Sequence, residues 1–193
     1  DEPIQVVFVH DNEEASLFNH ILVVAEESSA VTYVETYVST IAESKGQANI
    51  IAEVIVKDNA QVTYGAVDVL AKGFTTYVNR RANLARDAKI DWALGLMNDS
   101  DTISENITHL VGDGSVADAK TVVVGSGKQK QNFTTEVRHW GKNSDGQILK
   151  HGVMKDAAQS IFNGIGKIEH GATKANAEQE SRVLMLSEKA RGD

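Results

Sequence analysis

Segments with the composition of β-strands recur along this chain at a nearly constant interval. Four of them begin with an alanine that is followed by β-branched or aromatic residues, and the alanines lie 30, 28 and 31 residues apart: Ala30, Ala60, Ala88 and Ala119. A second set consists of similar segments that begin at Phe74 and at Phe133, 59 residues later. Residues 107–110 form a related segment between them. Repeats of this size are typical of solenoids, in which each coil buries its apolar face on the next. The alternative is a β-sandwich, whose strands resemble one another because strands use few residue types.

The individual strand signals are clear in several places. Residues 31–38 are rich in β-branched and aromatic side chains, and residues 50–56 have the same character. Thr121–Val124 is a short apolar run closed by Gly125, which predicts a strand buried on both faces. Beyond Pro3 the chain has no proline, so every strand can donate its backbone N–H groups to neighbours.

Two segments are ambiguous. Residues 11–20 are compatible with a helical turn or a loop. Residues 172–190 favour a helix on propensity, because Ala, Glu, Gln, Lys and Leu are abundant. However, the four consecutive apolar residues 183–186 also suit a buried strand.

The charge distribution argues against nucleic acid as a partner. The net charge is −8, and the first 60 residues carry 11 acidic and only 2 basic side chains. A nucleic-acid-binding surface needs clustered Lys and Arg to replace the counterions of phosphates. No apolar run approaches the ~18 residues of a membrane span, so we expect no membrane partner either.

Cysteine is absent from all 193 residues. This rules out disulfides and thiolate metal sites within the chain, and it favours a cytoplasmic protein. The acidic start, Asp1-Glu2-Pro3, has no methionine and no signal-peptide pattern, so we expect the chain to be part of a longer protein.

No catalytic residue or metal ligand is assigned from sequence motifs, and a cofactor site stays unknown. Residues 122–129 resemble a phosphate-binding loop but lack its first glycine and the hydroxyl residue after Lys128. Residues 98–106 lack the glycine and the final glutamate of a calcium loop. The six histidines form no metal-binding pairs in sequence: His10, His20, His109, His139, His151 and His170.

The C-terminal third carries a longer pattern. Residues 151–156 read His-Gly-Val-Met-Lys-Asp, and residues 160–168 read Ser-Ile-Phe-Asn-Gly-Ile-Gly-Lys-Ile. With the stretch 169–190, they closely resemble the SufB/SufD family of iron–sulfur cluster assembly proteins. Residues 169–190, and Trp92–Asn98 upstream, are similar to the SufD branch of that family.

The resemblance implies an all-β fold, a right-handed parallel β-helix that agrees with the repeat. It also implies that residues 1–193 are a single β-helix core domain of a longer protein, without its N- and C-terminal helical parts. The family's ATPase-docking region and a histidine implicated in cluster assembly lie beyond Asp193. Neither is therefore assigned to a residue of this chain.

The resemblance further implies a role in a multi-protein complex. The chain would pair with a SufB-type scaffold subunit and join a SufC-type ATPase, and the complex would build the iron–sulfur cluster as its cargo. The chain itself would hold no cofactor. Ser181 falls where SufB-type chains place a cysteine proposed to receive sulfur, and a serine hydroxyl lacks the acidity and softness of a thiol.

These observations predict a structural, partner-binding subunit of the SUF system rather than an enzyme. Because a β-helix leaves strand edges unpaired at both ends, we also expect the isolated core to form a homodimer through an edge. The alternative is a β-helix enzyme or lectin that acts on polysaccharide, but aromatic residues make up only 6% of the chain.

Overall fold

The computed structural model describes residues 2–193, which form β-strands joined by turns and contain no helix. The fourteen strands are β1 (Ile4–His10), β2 (Leu17–Ala25), β3 (Ala30–Ser39), β4 (Gln47–Val56), β5 (Gln61–Val69), β6 (Thr75–Leu84), β7 (Lys89–Leu96), β8 (Asp101–Leu110), β9 (Val116–Gly125), β10 (Lys130–His139), β11 (Asp145–Met154), β12 (Gln159–Ile168), β13 (Asn176–Met185) and β14 (Arg191–Gly192). Within the described range there is accordingly no helix that could cross a membrane.

The strands form two parallel sheets of seven strands each. The odd-numbered strands make one sheet, here the odd sheet, and the even-numbered strands make the other, here the even sheet. Each coil of the chain contributes one strand to each sheet and then begins the next coil. This arrangement confirms the parallel β-helix that was predicted, and the described residues complete about seven coils.

The pairing register corrects the repeat that was read from the sequence. Ala60 and Ala88 are equivalent, because Gln61 and Lys89 pair directly after them. Ala30, by contrast, pairs with Gln61, so it is one position out of step. Ala119 pairs with Trp92 and is four positions out of step.

The second set of segments was aligned four positions out of step as well. Phe133 pairs with Ser104, which pairs with Val78 rather than with Phe74. A shift of four residues keeps every side chain on the same face of its strand, so the alternation of apolar residues does not reveal it.

The core lies between the two sheets, and the outer faces are open to solvent. The prediction that residues 121–124 are buried on both faces is wrong: Thr121 and Val123 point inward, whereas Val122 and Val124 are 45% and 38% exposed. A parallel sheet is usually covered on both sides, but here the described residues supply a layer on one side only.

The two ambiguous segments are resolved as turn and strand. Residues 11–16 form a turn, and β2 starts at Leu17. Of the two structures considered for 172–190, the strand is formed: residues 176–185 are β13, which pairs with β11. Tertiary pairing therefore overrides helix propensity here, although Leu184 and Met185 are exposed rather than buried.

The turns that lead from the even to the odd sheet share one conformation. Each contains a residue with a positive φ, and five of these six are Asn, Asp, Gly or Ser: Ser28, Asn59, Asp87, Gly114, Asn143 and Lys174. The last turn has a second such residue, Gly171. These turns stack on one another through backbone hydrogen bonds, such as Asn59 N–H to the Arg86 carbonyl at 2.9 Å. The Asn, Asp and Gly turn signals of the sequence are thus explained by the left-handed conformation that these residues tolerate.

Candidate functional site: the open edge and the polar interior

The last strand of the odd sheet, β13, presents an open edge. It pairs with β11 on one side, and no other strand within residues 2–193 lies on its other side. In the even sheet β14 has only two residues, so most of β12 is also uncovered at this end. An unpaired row of backbone donors and acceptors is a template for adding a further strand.

The backbone groups that β13 offers can be assigned from its existing hydrogen bonds. Asn176 N–H donates to the Ser144 carbonyl at 2.9 Å, and Leu186 N–H donates to the Met154 carbonyl at 2.8 Å. Because successive residues alternate sides along a strand, the odd-numbered residues between them direct their N–H groups to the free edge. Gln179 and Ser181 are two of these residues.

The side chains on the outer face of β13 are charged. Glu180 accepts from Arg182 at 2.6 Å, and its carboxylate lies 3.8 Å from the His151 ring on β11. Charged side chains on an edge strand limit indiscriminate association. A strand added to this edge would therefore lie beside charged side chains.

The edge at the other end of the β-helix has a different character. Neither β1 nor β2 contains an Asp, Glu, Lys or Arg residue. Large apolar side chains are exposed on both strands, including Val7 at 61% and Phe18 at 71%. An uncharged apolar edge of this kind needs a covering segment or partner to stay soluble.

Two of the six histidines are buried and have structural contacts. The His10 ring lies 2.9 Å from the Ala15 carbonyl, within the first turn. His139 Nδ1 lies 2.9 Å from Ser144 Oγ, and burial lowers the pKa of this imidazole. Both side chains are used to hold turns in place.

The other four histidines lie apart on outer faces or in a turn: His20, His109, His151 and His170. Burial, helped by the nearby Arg138, lowers the pKa of His109. Across residues 2–193, no three His, Asp or Glu side chains are placed to hold a metal ion. The fold thus leaves the histidines separate, as they are in the sequence.

A buried ionic cluster inside coils two and three was not found from the sequence. Arg80 on β6 donates two hydrogen bonds to Asp68 on β5, at 3.0 and 2.8 Å, and one to Glu35 on β3, at 3.0 Å. Burial opposes the charge on Arg80, but the attraction of the two carboxylates outweighs it and raises the pKa of Arg80. Burial raises the pKa of Glu35 and, with the help of that carboxylate, raises the pKa of Tyr33 to about 12.

This cluster is a cross-link between the sheets rather than a reactive site. All three charged side chains are at most 1% exposed and are paired with one another, and the hydroxyls of Tyr33 and Tyr37 also donate to Glu35 at 3.4 Å. One sequence signal could have found it: Glu35 has the same parity as Tyr33 and Tyr37, which places it on the inward face of β3.

Comparison with known proteins identifies the family of this chain. The family described as "SUF system FeS cluster assembly, SufBD core domain" matches residues 8–193, nearly the whole chain. The chain belongs to the SufBD core family. The resemblance noted in the sequence is thereby confirmed, and the match extends through both sheets of the β-helix.

Individual relatives support the SufD branch. The iron–sulfur cluster assembly protein SufD of Bacillus subtilis is 68% identical over 194 residues, which cover all of this chain and 44% of that protein. SufBD family proteins of Staphylococcus saprophyticus and Mycobacterium leprae are each 22% identical over 193 residues, covering 42% and 22% of those proteins. The chain thus spans less than half the length of the curated relatives it matches.

In this SufBD core, Ser181 lies on the free-edge strand and pairs with Lys150 of β11. It shares the inward parity of Gln179 and Val183, and it lines a cavity between the sheets. The predicted equivalence of Ser181 with a SufB-type cysteine stays a prediction. Ser181 thus places a hydroxyl group, rather than a thiol, next to both the free edge of β13 and the cavity.

Proposed function

We propose that this SufBD core is a structural, partner-binding part of a SUF iron–sulfur cluster assembly complex. It pairs with a SufB-type scaffold subunit, joins a SufC-type ATPase and acts in the cytoplasm. It carries no catalytic residue of its own. The cluster is the cargo of the complex, and the core holds no resident cofactor.

The observation that carries this proposal is the open edge of β13 in a chain whose family works in cluster assembly. A ten-residue parallel strand with free backbone donors can extend its sheet into the sheet of a second SufBD core. Such pairing needs little rearrangement, because the edge is already extended and regular. The family match favours this interpretation over the polysaccharide alternative.

A specific role for the edge follows from its chemistry. Backbone hydrogen bonds supply the affinity of strand addition, and the alternating side chains supply the selectivity. Glu180 and Arg182 on the outer face would select the partner's charges. The cysteine-free composition leaves thiol chemistry to the SufB-type partner.

The test is co-purification from cells that produce tagged full-length protein with a SufB-type and a SufC-type protein. The wild-type protein should recover both partners. Replacing Gln179 by proline removes one N–H from the free edge, and edge strands tolerate proline where no ladder bond is lost. Gln179→Pro should therefore recover less of the SufB-type subunit.

The matched control is Gln179→Ala, which removes the same side chain but keeps the N–H group. It should recover the SufB-type subunit at the wild-type level. If the wild-type protein recovers neither partner, the proposed function is wrong. If Gln179→Pro and Gln179→Ala behave alike, pairing does not use the β13 edge.

A further inference from the structure

One inward column of the odd sheet is apolar in the third and fourth coils and polar in the fifth to seventh coils. From the third to the seventh coil its members, each paired with the next, are Ala66, Leu94, Thr121, Lys150 and Ser181. The first two belong to the aliphatic core, whereas the last three carry a hydroxyl or an ammonium group. The second-coil member of the same column is Glu35, which pairs with Ala66 and forms an ion pair with Arg80. The interior of the last coils differs because its buried charge has no opposite charge beside it.

Lys150 is the charged member of this column, and it is buried. Its side chain is 1% exposed. The ammonium donates to the Phe133 carbonyl at 3.2 Å and to the Asn163 carbonyl at 2.5 Å. A lysine ammonium has three donors, so one remains for a further acceptor.

No opposite charge compensates Lys150 within the part of the chain that the structure describes. None of the ion pairs of residues 2–193 includes it, and burial alone lowers the pKa of its amine to about 8. The only other ionisable side chain on the inward faces of β9–β13 is His139, whose pKa is also lowered by burial. A buried cation without a partner is costly, and such charges are normally paired.

Space for a partner lies directly beside this amine. A cavity of about 360 Å³ is lined by Lys150, Gln179 and Ser181. Its other lining residues include Glu180, which lies on the outer face of β13, and the apolar Ile148, Phe162 and Ile165. It shares Gly164 and Gln179 with a neighbouring cavity of about 420 Å³.

The cavity exists because the facing strand lacks side chains there. Gly164 occupies the inward position of β12 that is held by Thr135 in the preceding coil, and Gly166 occupies that of Val137. A Cβ atom at Gly164 would lie 3.2 Å from the Gln179 side chain. The glycines thus leave room that a side chain would take.

The cavity beside the Lys150 ammonium has polar as well as apolar walls. Gln179 and Ser181 bring neutral donors from the edge strand. One coil further in, the hydroxyl of Thr121 is buried without a hydrogen-bond partner. A polar cavity of this volume holds several waters together with a small ion.

We propose that this cavity binds a small inorganic anion, with the Lys150 ammonium as its charge partner and Ser181 and Gln179 as neutral donors. The cavity uses the side chains of β13, whereas the proposed partner-binding edge uses its backbone N–H groups. Bromide, phosphate and hydrosulfide are the probes that distinguish which anions it takes.

The first test measures how fast Lys150 of the full-length protein is acylated by acetic anhydride, followed by peptide mass spectrometry. An anion that raises the pKa of Lys150 by one unit lowers the reactive neutral fraction about tenfold. Labelling of Lys150 should therefore slow by up to that factor in at least one of the three anions, relative to gluconate at equal ionic strength. Lys155, exposed in the next turn, is the internal control and should not change.

The second test compares thermal unfolding of the wild-type protein with that of Lys150→Met. The effective anion should raise the melting temperature of the wild-type protein but not that of the variant, and Lys155→Met should behave like wild type. Should Lys150→Met fail to fold, Ser181→Ala on the exposed edge replaces it and should show a reduced shift. The inference is overturned if no anion slows the labelling of Lys150, or if every anion slows Lys155 equally.

These outcomes are independent of the proposed function. Lys150→Met should recover the SufB-type and SufC-type partners as well as the wild-type protein does. Absence of anion protection in the wild-type protein, together with normal co-purification, would refute the anion site alone.

Discussion

The Arg80 guanidinium lies 2.9 Å from the Glu35 carboxylate (Nη2 to Oε1), across the space between the even and odd sheets. Asp68 binds the same guanidinium with both of its oxygens. Each of these charges is buried, and Arg80 is the only cation that the two carboxylates contact within residues 2–193. The cluster therefore fixes how the second and third coils of the two sheets face each other.

We expect Arg80→Met to destabilise the protein by about 3–5 kcal/mol, because it leaves two carboxylates buried without a cation. Denaturant unfolding followed by circular dichroism measures the loss. The control is Arg81→Met, one residue along and exposed, where Nε donates to the Asn79 side chain at 2.7 Å. Its cost should stay below about 1 kcal/mol. Equal effects of the two substitutions would contradict a structural role for the cluster.

We expect His139 to make the protein sensitive to acid. Burial lowers the pKa of His139 from its ordinary 6.5. As the pH falls through this value, the unfolded chain takes up a proton before the folded one does, so stability falls by up to about 1.4 kcal/mol per pH unit. Unfolding midpoints between pH 7 and pH 5 should therefore fall less steeply in His139→Gln.

The exposed His170 supplies the control for that experiment. His170→Gln should reproduce the wild-type slope. If His139→Gln has the same slope as the wild-type protein, the imidazole of His139 is not the group that is protonated.

The sequence was sufficient for the fold but not for its register or its interior. Alternating β-branched residues and Asn, Asp or Gly turns recur once per coil, and a solenoid follows from them. The shift of Phe133 by four positions leaves inward and outward residues unchanged, so alternation alone cannot detect it. The turns differ in length, so the coils do as well. Only the pairing of the strands therefore shows which residues of successive coils lie side by side.

The interior charges escaped detection for a related reason. Glu35 and Lys150 are charged residues, yet they occupy inward positions of their strands and are buried. Around Lys150 the strand contains Gly146 and Gly152 at inward positions, so no apolar alternation marks the buried face. Which polar groups the fold brings together depends on contacts between coils that are about 30 residues apart.

We expect Lys150 to make the protein more stable at alkaline pH. Burial lowers the pKa of Lys150 from 10.5 to about 8. Between these values the unfolded chain still holds the proton that the folded chain has released, so stability rises with pH, by up to about 3 kcal/mol in all. The difference in unfolding free energy between the wild-type protein and Lys150→Met, measured from pH 7.5 to 9.5, isolates this effect. A difference that does not vary with pH would contradict it.

We expect the isolated core, residues 1–193, to form a homodimer through the β13 edge. The free N–H groups of residues such as Gln179 can pair with a second copy, and the exposed Leu184 adds apolar area at 59% exposure. Light scattering at increasing concentration should show the mass approaching that of a dimer. Gln179→Pro should weaken this association, whereas Gln179→Ala should not, because only proline removes a backbone donor. A wild-type protein that stays monomeric at high concentration contradicts the prediction. A Gln179→Pro variant that dimerises normally would instead place the contact at the uncharged edge formed by β1 and β2.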